Sequence, residues 1–260
     1  MMTENAATAT QTAAAPEHQE HAPADTPTPR IPDEHARLLA LHNSFKPVWL
    51  TETITLGPWL PSDRETLVEY LNDARIYSYL CGPPFPYTLE DADFWLGSKV
   101  NRMTDKGTPL DFCFRDMAKG GKAIGSLAVT DVGDDQLDGD DTGYWLAPEY
   151  HGQGLVSKAL RMMLHRVSMV EVGKRKFNAH AFLGNHVSRH IMEKIGFVVQ
   201  QEADEEGKKL QRVVKNGEEI LMWTLRLYVT DEDVERWEVV PEATPLPSLV
   251  KEVESKKEGV

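Results

Sequence analysis

Residues 143–157 read GYWLAPEYHGQGLVS, and this stretch is the most informative part of the sequence about the fold. Its apolar start predicts a short strand that stops at Pro148, and the periodic apolar residues after Gly154 predict a long helix. Gly152 and Gly154 lie between the two, where glycine lets the backbone approach a ligand closely. Because successive N–H groups at a helix start attract anions, the pattern favours a pyrophosphate ligand. The same spacing also occurs merely to turn the chain, and both interpretations stay open at this point.

Two better-known phosphate-binding loops are excluded by the same residues. The loop has no Gly-Lys-Ser/Thr sequence, so it is not a Walker loop. Ser157 stands where the third glycine of the G-x-G-x-x-G dinucleotide fingerprint would be. A nucleotide-binding Rossmann-like domain is therefore disfavoured.

Strand and helix signals alternate on both sides of this stretch. Upstream strands are predicted at 45–56, 110–116 and 123–132, and two helices are predicted to start near the capping boxes Ser62/Glu65 and Thr88/Asp91. Downstream, a strand at 176–183 and a helix from Asn185 to Lys194, ended by Gly196, precede strands at 197–201 and 220–227. This order predicts an α/β (α+β) fold, a mixed central sheet with helices on both faces.

Composition and charge exclude several classes of protein. The chain is 41% hydrophobic and 27% charged, and no apolar run approaches the roughly 20 residues that span a bilayer, so we expect no membrane partner. A formal net charge of -13 argues against nucleic-acid binding. Cys81 and Cys113 have no CxxC partner, which excludes a zinc module and a disulfide scaffold. Counting from Asp134, the twelfth residue is Trp145 rather than the Glu of an EF-hand, so we predict no metal. With no secretory signal recognisable, we expect a cytoplasmic location.

Three compositional regions predict the domain organisation. Residues 1–36 are rich in Ala, Thr, Pro, Gln and His and bury too little apolar surface to offset their ordering entropy, so we predict a disordered tail. Residues 37–227 form the compact domain. Residues 228–260 begin with an acidic run and end in a charged segment, and we predict a partly ordered acidic extension.

Two ordered motifs resemble a known family. The run GYWLAPEYHGQGLVSKAL, which begins at Gly143, is similar to the strand, β-bulge and pyrophosphate loop of the GNAT superfamily of acyl-CoA-dependent N-acyltransferases. The run NHVSRHIMEKIGF, which ends at Phe197, resembles the Asn-x-x-Ser … Glu-Lys-x-Gly-Phe segment of its Rim-type branch, which includes the ribosomal-protein N-acetyltransferases. The resemblance covers roughly residues 45–227 and implies a GNAT fold with a splayed strand pair.

The resemblance implies an enzyme that transfers an acetyl group from acetyl-CoA to an amine by direct attack. Backbone N–H groups of the splayed strand are expected to stabilise the oxyanion. His151 occupies a position where the family has Arg or Gln and keeps a donor side chain, whereas Val156 replaces Gly or Ala and adds bulk near the phosphates. The resemblance assigns these residues to cofactor binding: Trp145, Leu146, Ala147, His151, Gly152, Gln153, Gly154, Leu155, Val156, Ser157 and Asn185.

Catalytic roles are assigned to two residues by the same resemblance. Asp141 lies two residues before Gly143, where Rim-type members commonly carry Glu, and is the candidate general base; the alternative is a solvated member of the acidic loop. Ser188 matches the Ser of the Rim-type branch and is the candidate for protonating the thiolate; the alternative is a helix-capping role. The Tyr that many GNAT enzymes use as general acid is replaced by Met192.

The acceptor side is less specific in the sequence. We expect a protein N-terminus or a small-molecule amine as acceptor, and a monomer or a homodimer. His180 and His190 are interpreted as structural or exposed side chains. The aromatic residues expected either to line the acceptor pocket or to pack in the core are Trp59, Tyr77, Tyr79, Phe85 and Tyr87. A catalytically impaired acyl-CoA-binding or interaction module is the alternative function, motivated by Val156 and the missing Tyr.

Overall fold

The computed structural model describes residues 46–100, 111–130, 140–164, 175–200 and 210–236. The strands are β1 Val48–Trp49, β2 Ile54–Gly57, β3 Asp111–Asp116, β4 Lys122–Thr130, β5 Asp140–Leu146, β6 Lys176–Phe182, β7 Val198–Val199, β8 Gln211–Lys215 and β9 Glu218–Tyr228. The helices are α1 Arg64–Leu71, α2 Ala74–Tyr77, α3 Leu89–Val100, α4 Leu155–Met162, α5 His186–Ile195 and α6 Asp231–Arg236, with 3-10 turns at Pro61–Asp63, Met117–Lys119 and Pro148–Tyr150.

The strands form one mixed sheet, as predicted. Its order is β1-β2-β3-β4-β5-β6-β9-β7, and β8 also pairs with β9. All neighbouring strands are antiparallel except β5 and β6, which are parallel. A parallel pair requires a crossover connection, and α4 lies in the segment that connects β5 to β6.

The central strands are buried on both faces. Every residue of β3 is buried, and on β4 the side chains of Ile124 and Leu127 have no exposed surface. Because successive side chains of a strand point to opposite faces, consecutive buried residues mean that both faces are covered. Helices α1 and α4 both pack against β4. Burial of each large apolar side chain contributes roughly 1.5–3 kcal/mol, so this two-sided core is the main stabilising term.

Two hairpins connect antiparallel neighbours, and only one of them was predicted. The turn between β3 and β4 uses Gly120 and Gly121 at positive φ, as expected. The hairpin of β8 and β9 was missed, because only residues 220–227 were interpreted as a strand there. Its turn is Asn216-Gly217, with φ of 54° and 81°, which is the strongest short hairpin signal in a sequence.

The helix-end predictions are confirmed at three of four positions. Thr88 and Asp91 exchange the hydrogen bonds of a capping box, Asn185 caps α5, and Gly196 ends α5 with a φ of 120°. The predicted cap at Ser62 is wrong, because Ser62 lies inside the 3-10 turn Pro61–Asp63, in which Asp63 accepts the N–H of Leu60 at 2.8 Å.

A register shift lies one strand away from where the resemblance suggested a bulge. The ladder of β5 with β4 is regular from Gly125 to Thr130. The shift lies in the β3–β4 ladder, where Phe114 pairs with Gly125 and Arg115 pairs with Ala123. Ile124 is therefore the extra residue, and it bends β4 beside the end of β5.

The predicted boundary at residues 227/228 falls inside β9. That strand runs to Tyr228, and the N–H of Val229 then donates to the carbonyl of Arg175 at 2.9 Å. Arg175 also pairs with Asp231 at 2.8 Å, so the start of the acidic extension packs on the sheet. The predicted disordered tail, residues 1–36, and the rest of the extension from residue 237 lie outside the described residues.

A buried ion pair fixes the start of α1 to the sheet. Arg115 of β3 donates two hydrogen bonds of 2.7 Å to the carboxylate of Asp63 and a third, of 2.8 Å, to the carbonyl of Pro58. Both side chains are less than a tenth exposed. Such a pair depends on both partners, because a single buried charge is not compensated.

We expect Asp63→Ala to lower the free energy of unfolding by about 3–5 kcal/mol, since it leaves the Arg115 guanidinium buried and unpaired. Denaturant unfolding measures this change. The control is Glu69→Ala, which removes the exposed 2.9 Å pair with Lys122 between α1 and β4. That variant should lose less than about 1 kcal/mol. Equal losses in the two variants would contradict the assignment.

Candidate active site

The parallel strands β5 and β6 separate after three residue pairs. The pairs are Asp140 with Phe177, Asp141 with Asn178, and Thr142 with Ala179. Beyond them β5 continues to Leu146 along β4, while β6 continues to Phe182 along β9. The two strands therefore form a fork that opens after Thr142. This is the splayed strand pair that the family resemblance implied.

The hydrogen-bond alternation of β5 shows which backbone groups face the fork. The N–H of Ala147 donates to the carbonyl of Ile124 at 2.7 Å. In an antiparallel ladder every second residue bonds to the same neighbour, so Trp145 also bonds towards β4. The backbone groups of Tyr144 and Leu146 accordingly point into the fork. Of the predicted ligand-binding residues 145–147, only Leu146 directs its N–H there, and the N–H of Tyr144 was not predicted.

The glycine loop has the geometry of an anion site. Gly152 and Gly154 adopt φ of 74° and 71°, a left-handed conformation that L side chains rarely take. Gly154 is the N-cap of α4, and no side chain caps that helix start. A Cβ built on either glycine would meet no atom within 4 Å. The first N–H groups of α4 thus have no capping side chain, and the space beside both glycines is open, as a diphosphate site requires.

The side chains that begin α4 point away from this space. Leu155 and Val156 are 2% and 7% exposed and belong to the core. The expectation that Val156 adds bulk near the phosphates is therefore wrong, because its side chain packs inward on the amphipathic helix. At Leu155, Val156 and Ser157 it is the backbone N–H groups that are placed to meet a ligand.

Two loop side chains brace the loop from within. His151 Nε2 lies 2.8 Å from the carbonyl oxygen of Leu146. Gln153 Nε2 donates to the carbonyl of Glu149 at 3.4 Å. His151 therefore ties the glycine loop to the end of β5, and the donor atom that resemblance assigned to the phosphates is used in the protein itself.

Ser188 meets a tyrosine rather than capping its helix. Asn185 is the cap of α5, because its Oδ1 accepts the N–H of Ser188 at 3.1 Å. The hydroxyl of Ser188 lies 3.0 Å from the hydroxyl of Tyr144 on β5. Burial raises the pKa of Tyr144 to about 12, although the hydrogen bond with Ser188 opposes this rise. A protonated phenol thus lies beside Ser188 at neutral pH, and the sequence analysis did not predict it.

Asp141 lies at the start of β5 beside a histidine, and its side chain is partly exposed. Its Oδ1 lies 3.6 Å from Nε2 of His180, the first β6 residue beyond the β5–β6 pairing. Burial raises the pKa of Asp141 above its ordinary value, and the charge of His180 opposes the rise. Burial also lowers the pKa of His180. The ring of His180 thus faces the candidate base, a contact that the sequence analysis did not predict.

The aromatic candidates for the acceptor pocket divide into two groups. Trp59 and Tyr87 are 2% and 4% exposed and belong to the core. Tyr77 and Phe85 stack with their ring centroids 4.5 Å apart, and Phe85 is exposed. Tyr77 also exchanges hydrogen bonds with Asn216 at the tip of the β8–β9 hairpin. The segment after α2 and this hairpin thus form one wall.

A small set of polar groups links this wall to Asp141. Lys215 Nζ lies 3.8 Å from the ring centre of Tyr77 and donates to the Tyr77 carbonyl. Cys81 Sγ lies 3.8 Å from Met222 Sδ on β9. Burial raises the pKa of Cys81, Lys215 opposes this, and Asp141 adds to it. The wall therefore lies within electrostatic reach of the candidate base.

The comparison with family models decides the assignment. Residues 53–198 match the model described as "Acetyltransferase (GNAT) domain", which is more than half of the chain. The chain belongs to the GNAT acetyltransferase family. The predicted resemblance, the GNAT fold and the classification as an N-acetyltransferase are thereby confirmed.

Similar GNAT proteins include ribosomal and small-molecule acetyltransferases. The Bacillus subtilis (strain 168) protein named "Putative ribosomal N-acetyltransferase YdaF" is 26% identical over 171 residues, which are 65% of this chain and 87% of that one. The ribosomal-protein-S5-alanine acetyltransferase of Vibrio fischeri is similar in structure, with a TM-score of 0.56 and 19% identity over 74% of this chain and 98% of that one. Spermidine N-acetyltransferase of Vibrio cholerae, solved with CoA and spermine, gives a TM-score of 0.53 and 16% identity over 68% and 96%.

Among the residues that the structure describes, no group of three or more His, Cys, Asp or Glu side chains is placed to hold a metal ion. None of the helices within the same ranges has both the length and the apolar character needed to cross a membrane.

The glycine loop can be tested with two matched variants. Gly154→Ala and Gly120→Ala each force a left-handed Ala at φ near 70° with free space for the methyl group, so each should cost about 1–2 kcal/mol of stability. Only Gly154→Ala should also weaken acetyl-CoA binding, by about tenfold or more, because it turns the loop N–H groups and fills the space. Calorimetric titration with acetyl-CoA measures the affinity. Equal affinities in the two variants would place the nucleotide elsewhere.

Proposed function

We propose that this GNAT protein is an acetyl-CoA-dependent N-acetyltransferase that acetylates an amine by direct attack. The observation that carries the proposal is the meeting of fork and glycine loop at Leu146. The N–H of this residue faces the fork, and its carbonyl oxygen holds His151 of the loop. One backbone position therefore couples an anion site to a donor for a developing oxyanion.

The proposed binding site is built mainly from backbone groups. The diphosphate lies on the N–H groups of the loop and of the first turn of α4, at residues 152–157. The N–H groups of Leu146 and Tyr144 are aimed at the thioester carbonyl. Asn185 fixes the first turn of α5, because its Oδ1 accepts the N–H of Ser188. The bound co-substrate supplies the thioester carbon that the amine attacks.

Different side chains remove the proton of the amine and protonate the departing thiolate. An ammonium acceptor has to lose two protons on its way to the amide. Asp141 accepts one of them, directly or through water, because a carboxylate with a raised pKa is a better base than an ordinary one. The second ammonium proton leaves to solvent. The departing thiolate takes a proton from the Tyr144–Ser188 hydroxyl pair, and solvent returns a proton to that pair. The C–N bond forms, the C–S bond breaks, and no covalent enzyme intermediate arises.

We propose a protein or peptide N-terminus as the acceptor. An α-amino group has an ordinary pKa of about 8, whereas a lysine-like amine has one of about 10.4, so a single carboxylate deprotonates the former with less cost. Exposed Phe85 and Tyr79, on the wall near Asp141, offer aromatic surface for the residues that follow an N-terminus. The names of the ribosomal relatives agree with this choice.

Two observations favour an active enzyme over a catalytically impaired binding module. Val156 packs in the core instead of crowding the phosphates. The tyrosine absent from α5 is matched by Tyr144, whose hydroxyl reaches Ser188 from β5. The bulk of Val156 and the missing tyrosine of α5, which suggested this alternative, therefore no longer argue for it.

The general base is tested by Asp141→Asn. With acetyl-CoA and a panel of peptides with free N-termini, spermidine, glucosamine and amino acids, we expect kcat to fall by about 100-fold or more. For the unmodified chain, kcat/KM should decline as the pH falls through the raised pKa of Asp141, because protonation removes the base. CoA release is followed by chromatography, since the exposed Cys81 would consume thiol reagents.

Asp93→Asn, at an exposed carboxylate paired with Arg64, is the matched control and should retain full activity. Binding of acetyl-CoA without turnover of any amine would favour the binding module instead. Absence of binding would remove both proposals.

The thiolate side is tested by a double-mutant cycle. Tyr144→Phe and Ser188→Ala each remove one hydroxyl of the 3.0 Å contact, and each should lower kcat by about tenfold. Because the two hydroxyls act together, the double variant should lose little more than either single one. Steady-state kinetics measure the three variants. Fully additive losses would show that the hydroxyls act separately.

A further inference from the structure

A chain of polar side chains crosses the sheet and ends at Asp141. Thr224 on β9 donates its hydroxyl hydrogen to Oε1 of Gln211 at 3.0 Å. The oxygen of the same hydroxyl lies 3.3 Å from Nδ1 of His180 on β6. Nε2 of His180 then faces Oδ1 of Asp141 at 3.6 Å. The chain thus joins four neighbouring strands on one face of the sheet.

The hydrogen bond from Thr224 to Gln211 favours one tautomer of His180. Since Thr224 donates its single hydrogen to Gln211, it accepts at Nδ1, and Nδ1 of His180 carries the proton. The other ring nitrogen, Nε2, then presents a lone pair to Asp141 when the ring is neutral. A hydrogen-bond acceptor beside one ring nitrogen commonly sets which nitrogen of an imidazole is protonated and so prepares the ring for proton transfer.

The two oxygens of Asp141 have different surroundings. Oδ1, which faces His180, is shielded from solvent and has no hydrogen-bond partner among the described residues. The side chain as a whole is nevertheless 37% exposed. The exposed part of the side chain therefore lies away from Oδ1, and the oxygen turned to the imidazole is the shielded one.

We propose that His180 acts through the base: held in one tautomer by Thr224 and Gln211, it presents Nε2 to Oδ1 of Asp141 and receives the proton that Asp141 takes from the amine. This inference rests on the proposed function, because it acts through Asp141. The proton moves from the Asp141 carboxyl to Nε2 of His180, which leaves the carboxylate and an imidazolium. The imidazolium releases that proton to solvent before the next turnover.

Other charged groups surround the pair and set its balance. Arg226 of β9 disfavours the imidazolium, and the charge of Asp141 favours it, while burial of the ring lowers the pKa of His180. Cys81 and Lys215 lie on the wall over Asp141. Burial thus keeps His180 neutral, so that Nε2 can accept a proton. The negative charge of Asp141 stabilises the imidazolium that forms during turnover.

The tautomer is tested directly by NMR on the whole chain labelled with 15N-histidine. The sequence contains nine histidines, and His180→Gln identifies the signals of His180. We expect a neutral ring with the proton on Nδ1. Asp141→Asn should lower the pKa of His180, since it removes the favourable charge. A neutral ring protonated at Nε2, or a pKa of His180 that is unchanged in Asp141→Asn, would overturn the proposal.

Two variants of Thr224 separate the hydrogen bond from packing. Thr224→Val keeps the shape and removes the hydroxyl, so we expect a mixture of tautomers. Thr224→Ser keeps the hydroxyl and should retain the single tautomer. Identical spectra for both variants would overturn the assigned role of Thr224. These measurements need no acceptor, so they decide the proposal even if no amine of the panel is acetylated.

Kinetics with an N-terminal alanine peptide then measure the consequence. His180→Gln and Thr224→Val should lower kcat by about tenfold with an unchanged KM for acetyl-CoA, and Thr224→Ser should restore kcat. His190→Gln, at an exposed position of α5, is the matched control and should leave kcat unchanged. An inactive wild type would refute the proposed function alone. An active wild type whose kcat is indifferent to His180→Gln would refute the role of His180 and leave the proposed function intact.

Discussion

The separation of β5 and β6 after Thr142 is the constraint on which the site depends. Backbone groups inside a sheet normally pair with a neighbour, and a buried group without a partner costs about 1–3 kcal/mol. Here the groups of Tyr144 and Leu146 that would bond to β6 face an opening instead. A sheet interrupted in this way has donors ready for a ligand, at a position held by β4 on one side and by the glycine loop on the other.

The fork also separates the two halves of the proposed chemistry. Asp141 and Tyr144 are three residues apart on one strand, so their side chains point to opposite faces of the sheet. On one face Asp141 meets His180, and on the other Tyr144 meets Ser188. In the proposed reaction a proton is removed on one face and supplied on the other, which keeps the base and the acid apart.

The structure shows what replaces the family residues at His151, Val156 and Met192. His151 gives up a phosphate contact and anchors the loop to Leu146, and Val156 turns into the core. Met192, which replaces the usual tyrosine of α5, is buried, while Tyr144 brings a hydroxyl from β5. What the loop offers a diphosphate is mostly main chain, and main chain tolerates such side-chain changes as long as the glycines keep their positive φ.

Features that depend on local rules could be predicted from the sequence: the glycine loop with α4, the Thr88 and Asn185 caps, and the Gly120-Gly121 turn. The two ordered motifs also predicted the family. Even the missed β8–β9 hairpin carries a local signal, the Asn216-Gly217 turn. Only the tertiary structure decided where residues distant in the chain meet. Tyr144 and Ser188 are 44 residues apart, as are His180 and Thr224. Strand register and the point at which β5 and β6 diverge set these contacts, and neither periodicity nor spacing within one segment encodes the alignment of two separate segments.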